Sequence, residues 1–135
     1  PPRSTLFPYT TLFRSNSKAL AERISRLVLE KKAYDVIMMD LTKIASFTDF
    51  FVICSVDSDH QAKAVLDHLD EQLRSVDAVK PWHVEGGSGS SWVLMDFVDV
   101  VVHLFRPEAR EFYSLEKLWA DAATTRIEDS VEEKV

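Results

Sequence analysis

With 135 residues, 46% hydrophobic and 28% charged, the chain has about one domain's length, against a prior of roughly 100–200 residues per domain, and the composition of an ordinary soluble globule. Its formal net charge of −6 disfavours a broad grip on nucleic acid, whose phosphates reward clusters of Lys and Arg, so little direct nucleic-acid binding is expected. The one cysteine, Cys54, excludes an intrachain disulfide and points to a reducing compartment, and no apolar run approaches the ~20 residues of a membrane span.

The tract 1–15 does not resemble the rest. It repeats Thr-Leu-Phe on either side of Pro8-Tyr9-Thr10, flanked by Arg-Ser, and holds no acidic residue; it is expected to be non-native or disordered and to stand outside the fold. The domain proper is expected over 16–122. Asn16 or Ser17 can cap a helix whose apolar stripe is Leu20, Ile24, Leu27 and Val28, with Lys31 or Lys32 in its last turn. Tyr34 to Leu41 and Phe50 to Ser55 run apolar and predict two buried strands. Ser58-Asp-His-Gln61 has the capping-box pattern, followed at helical spacing by Ala62, Val65, Leu66, Leu69 and Leu73. Pro81 interrupts the chain, Trp82 to Glu85 reads as a short strand, and all three glycines, Gly86, Gly87 and Gly89, lie in the loop that follows.

Ser91 to Asp96 and Asp99 to Phe105 read as a hairpin joined at Phe97-Val98. A two-residue loop there predicts Asp96 opposite Asp99, Leu94 opposite Val101 and Trp92 opposite His103. One face then collects Val93, Met95, Val100, Val102 and Leu104, all core; the other collects Trp92, Leu94, Asp96, Asp99, Val101, His103 and Phe105. Two opposed aspartates beside a Trp and a His are not what a core requires, and this second face is the first place to look for function. Pro107 suits the first turn of a last helix. On a wheel of ~100° per residue, Phe112, Leu115, Leu118, Trp119 and Ala122 form its buried stripe, and Arg110, Tyr113 and Lys117 its opposite side. The acidic tail 123–135 is expected to fray. The order α-β-β-α-β-β-β-α predicts a single α/β domain, a mixed β-sheet of about five strands with helices packed on it.

Three chemistries suggested by these residues weaken on inspection. Nucleotidyl transfer needs two carboxylates at i and i+2 on one strand face beside a Gly-Ser turn, but the positions flanking Asp96 on its own face are Leu94 and Val98. A P-loop needs Gly-Lys-Ser/Thr opening a helix, and here a strand follows. His60, His68, His83 and His103 show no metal-ligand spacing with Cys54, so neither a metal nor a cofactor is expected. An enzyme acting on nucleotides or RNA ends stays open as the alternative to a binding protein, and a dimerisation module, through sheet edges, as a third.

Five blocks carry a family resemblance: Thr48-Asp-Phe-Phe-Val-Ile-Cys-Ser55; Glu85-Gly86; Trp92-Val-Leu-Met-Asp96; Asp99-Val-Val-Val-His-Leu-Phe105; and Arg110-Glu-Phe-Tyr-Ser-Leu-Glu-Lys-Leu-Trp119. In this order and spacing they resemble the ribosomal silencing factor, or Iojap-like, family over roughly Ser17 to Ala122. The resemblance implies a nucleotidyltransferase-like fold lacking the catalytic acids and a non-enzymatic translation repressor. It would bind the large ribosomal subunit through the fourteenth large-subunit protein, a basic protein at the subunit-joining face, and block joining when nutrients are scarce. Trp92 and Tyr113 match the family's motif aromatics and would be the anchors. Glu85, Asp96 and Asp99 would complement the basic partner, with His103 and Arg110 beside them. It also implies a bacterial cytoplasmic protein, an organellar homologue being the second reading, and leaves room for a homodimer of the free protein. Val98 departs from the family, where many relatives have Gly at the hairpin turn.

Overall fold

The computed structural model describes residues 16–87 and 89–128. The tract 1–15 and the end of the tail, 129–135, lie outside the described residues. The elements run α1 (Ser17–Glu30), β1 (Tyr34–Asp40), β2 (Phe50–Ser55), α2 (Asp59–Ser75), β3 (His83–Glu85), β4 (Trp92–Asp96), β5 (Val100–Phe105), α3 (Pro107–Tyr113), α4 (Leu115–Leu118) and β6 (Ala123–Ile127). The six strands make one mixed sheet in the order β3-β4-β5-β2-β1-β6. Only β2 and β5 pair in parallel; the other neighbours are antiparallel.

Helices α1 and α2 cover one face. Leu20, Ile24, Leu27 and Val28 of α1 and Ala62, Val65, Leu69 and Leu73 of α2 pack on Val36, Met38, Val52, Cys54, Val93, Met95, Val100, Val102 and Leu104. The capping signal is realised as expected: Ser58 Oγ accepts from the Gln61 amide at 3.0 Å, and Gln61 Oε1 reaches back to the Asp57 amide at 2.7 Å. α1 ends at Glu30, so Lys31 is its C-cap rather than part of the last turn. Complete burial pushes the Cys54 thiol up to about 12, which keeps it protonated and inert.

The hairpin departs from expectation in register but not in facing. Trp92 pairs with Phe105, Leu94 with His103 and Asp96 with Val101, a slip of two residues that moves the loop to Val98-Asp99. A slip of two preserves the face of every side chain, whereas a slip of one would invert them. The cause is Phe97: it continues the core alternation of Val93 and Met95, is buried with them, and so belongs to the strand end. Asp96 is therefore not opposite Asp99.

The turn itself is tight. Phe97 N–H donates to Val100 O at 2.8 Å, Asp99 N–H donates back to Phe97 O at 3.0 Å, and Val98 between them sits at φ 77°. A β-branched residue there is strained by about 1–3 kcal/mol. Asp96 Oδ1 accepts from the Val98 amide at 2.6 Å and braces the turn. Val98→Gly should raise unfolding stability by about 1 kcal/mol, strain relief less the entropy glycine adds to the unfolded chain. A urea midpoint that does not rise, at unchanged m, would contradict this.

Two further expectations for the C-terminal part are corrected. Ser114 adopts φ 48° and breaks the last helix into α3 and α4, so the single wheel loses its phase and Phe112 and Leu118, expected in the buried stripe, are exposed. Of the tail 123–135, expected to fray, Ala123–Ile127 instead adds a sixth strand antiparallel to β1, from Asp40↔Ala123 to Val36↔Ile127. Its side chains are mostly exposed, so β6 is held by backbone pairing and carries no alternating apolar signal.

Candidate partner-binding face

Among the described residues, the second face of the sheet carries Ile37, Met39, Phe51, Ile53, Val101 and Phe105 and is covered by Ala109 of α3, Leu115 of α4 and partly buried neighbours. Two short helices cannot cap six strands, and aromatic rings fill the difference. Phe47, in the loop before β2, contacts Trp119 with centroids 5.8 Å apart, and Trp119 meets Phe51 edge-on at 6.2 Å. Phe51 meets His103 at 4.5 Å. Trp92 stacks on Phe105 at 4.9 Å and 28° and touches Tyr113 at 4.8 Å, and Tyr113 meets Phe112 edge-on at 5.0 Å. The result is a continuous aromatic ribbon whose ends emerge into solvent, with Phe47 58%, Tyr113 48% and Phe112 80% exposed. Ile44 and Leu118 are also exposed. An exposed apolar patch of this kind makes the face a candidate interaction surface.

Trp92 is half-buried. Its indole Nε1–H donates to Nδ1 of His103 at 3.1 Å. Gly86, at φ 92°, passes so close to the start of β4 that an added Cβ would lie 2.8 Å from the Trp92 carbonyl oxygen, so the glycine lets the loop lie against the strand that presents the indole. Tyr113 ends α3 immediately before the αL residue Ser114, which tips it over Trp92 and Phe105.

The remaining sequence candidates fall in different places. His103 is buried, 4% exposed, and desolvation lowers its pKa to about 4. With Nδ1 accepting, the neutral ring carries its proton on Nε2, which has no hydrogen-bond partner among the described residues. Arg110 is spent internally. Its Nη1 donates to Ser55 Oγ at 2.8 Å, and its Nε and Nη2 reach Glu116 Oε2 at 3.1 and 3.0 Å, tying α3 to β2 and α4. Glu85 is exposed on the edge strand β3, paired with His83 at 2.9 Å and lying across from Leu94. Asp96 commits one oxygen to the turn, and Asp99 lies in that turn with its carbonyl oxygen accepting from the amides of Asp49 and Phe50. The fold thus unites Trp92 and Tyr113 in the ribbon, sets Glu85 on the edge strand and Asp96 on the strand beside it, and withdraws His103 and Arg110 from the surface. Phe112 and Leu118 were missed as surface residues because a one-helix wheel hides the break at Ser114.

The glycine loop lies elsewhere, over the N-terminus of α2, where Asp59, Lys63, Leu66, Gly86, Gly87, Ser90 and Val93 line a cavity of about 440 Å³. Two of its amides are engaged: Gly87 N–H donates to Ser90 Oγ at 3.0 Å and Gly89 N–H to the Asp59 carboxylate at 2.8 Å. No group of three or more His, Cys, Asp or Glu among the described residues could hold a metal ion, and no helix there is long and apolar enough to cross a membrane.

A family model described as "Ribosomal silencing factor during starvation" matches residues 14–135. A "Ribosomal silencing factor RsfS" from Halalkalibacterium halodurans is 34% identical over 113 residues, 84% of this chain and 96% of that protein. The "Mitochondrial assembly of ribosomal large subunit protein 1" of Mus musculus is 33% identical over 95 residues, 69% of this chain and 42% of that protein. A crystal structure of a Bacillus halodurans protein superposes with a TM-score of 0.68 at 33% identity, covering 82% of this chain and 99% of that one.

Proposed function

Because the chain belongs to the ribosomal silencing factor family, we propose that it represses translation by binding the large ribosomal subunit and sterically blocking the small subunit from joining. The observation that carries the proposal is the aromatic ribbon, in which Trp92 is held partly buried between Phe105 and Tyr113. Such a surface serves as the desolvated centre of an interface. A mouse relative is named for the large subunit, which favours that subunit over the small one. The partner fitting an acidic chain is a basic ribosomal protein at the joining face, the fourteenth of the large subunit, with Glu85, Asp96 and Asp99 at the polar rim where charge sets on-rate and partner choice.

The action is exclusion rather than catalysis. Two of the loop amides that could cradle a phosphate already bind Asp59 and Ser90, and Asp96, the one carboxylate suitably placed after the loop, braces a turn. The site of action is the bacterial cytoplasm, and the edges β3 and β6 leave room for a second copy when the protein is free. Sedimentation with purified subunits tests the reading: the protein should pellet with the large subunit and not with the small one, and should lower the yield of joined ribosomes when added before the small subunit. Equal pelleting with both subunits, or with neither, would refute it.

A further inference from the structure

We propose that His103 is a positioning residue for this face: its Nδ1 takes the indole N–H of Trp92 and fixes the ring in the orientation the partner meets. The partner then contacts the carbon surface of the indole, because its one donor is already engaged. The inference rests on the reading of Trp92 as an anchor and adds what prepares it.

Three observations carry it. The bond is 3.1 Å long and joins a partly buried side chain to a buried one, so it orients the outer ring from below. His103 occupies a place where packing alone would favour Phe or Leu, between Phe51 at 4.5 Å and the stacked Phe105 at 6.3 Å, and its Nε2–H is left without a partner among the described residues. A buried donor without an acceptor costs stability, and the packing of the core does not account for that cost; presentation of Trp92 does. Burial also keeps the ring neutral, so Nδ1 remains an acceptor at neutral pH. A Trp whose rotamer is set before association loses less entropy on binding, which is how preorganisation raises affinity.

The test uses the full chain and purified large subunits. His103→Phe keeps a ring but removes the acceptor, and His103→Asn returns an oxygen near the place of Nδ1. Indole N–H exchange of Trp92 by NMR, the melting temperature and the dissociation rate from the subunit are read together. The His103→Phe protein should melt at or above the parent, exchange its indole proton at least about tenfold faster, and leave the subunit roughly three- to tenfold faster, the scale of one net hydrogen bond. The His103→Asn protein should recover exchange protection and most of the residence time. Stability and binding moving in opposite directions is a signature that a merely structural residue would not give. If His103→Phe holds the subunit like the parent while Trp92→Ala loses it, the anchor stands and the positioning role is wrong. If Trp92→Ala binds like the parent, the anchor reading fails and the positioning role with it. A parent whose Trp92 indole exchanges as fast as the exposed Trp82 overturns the proposal without any variant.

Discussion

Trp92→Ala is expected to weaken binding to the large ribosomal subunit by about 2 kcal/mol or more, the scale of an interface hot spot. The same change removes the stack on Phe105 and the donor to His103. Full burial of a Trp would make truncation cost about 3–5 kcal/mol of stability; a half-buried one should lose nearer 2 kcal/mol. Binding is therefore compared at a temperature where both proteins are folded. Tyr113→Ala separates the two effects, because nearly half its surface is exposed: it should cost under about 1 kcal/mol of stability yet weaken binding in the same direction, less strongly. Trp82 is the control. It is 72% exposed, but its ring neighbour is His83 rather than the ribbon, so Trp82→Ala should leave binding unchanged. A loss at Trp82 as large as at Trp92 would show that generic stickiness, not this face, holds the subunit.

What could be read from the residues divides along a physical line. The two faces of the hairpin were legible because period-two alternation survives an even slip of register, and the core face Val93, Met95, Val100, Val102 and Leu104 emerged intact. The register was not legible, because it depends on whether Phe97 is buried, and that depends on α1 and α2 packing over the sheet. The break at Ser114 left no mark, since a serine at φ 48° is not signalled by its neighbours as a glycine would be. β6 was invisible for a different reason: a strand held by backbone ladder to β1 needs no apolar pattern. Trp92 and Tyr113 stood out as aromatics off the clean core faces, and the structure sets them in contact at 4.8 Å. The depth of His103 rests on Phe51 of β2 and Trp92 of β4, which only strand pairing brings to it, as well as on Phe105 two residues along its own strand.

That depth has a thermodynamic consequence in acid. Desolvation lowers the folded-state pKa of His103 from 6.5 to about 4, while in the unfolded chain the imidazole titrates near its ordinary value. Between these two pH values the unfolded state binds a proton that the folded state refuses, so unfolding is favoured by about 1.4 kcal/mol per pH unit as pH falls. The sign is fixed: the contribution is nil above pH ~7, grows through pH 5, and saturates below about 4 at about 3 kcal/mol, once both states are protonated. Protonation at Nδ1 would also set two donors facing each other across the 3.1 Å contact with Trp92, so the aromatic face should loosen as the fold weakens. Carboxylates titrate over part of the same range, and the His103→Phe protein subtracts them. Its unfolding free energy should fall less steeply between pH 6.5 and pH 4 than the parent's, the gap widening by about 3 kcal/mol across that window. Denaturant melts at half-unit pH steps measure this directly, and parallel curves for the two proteins would show that His103 is open to solvent and protons, with its hydrogen bond to the indole lost at the same time.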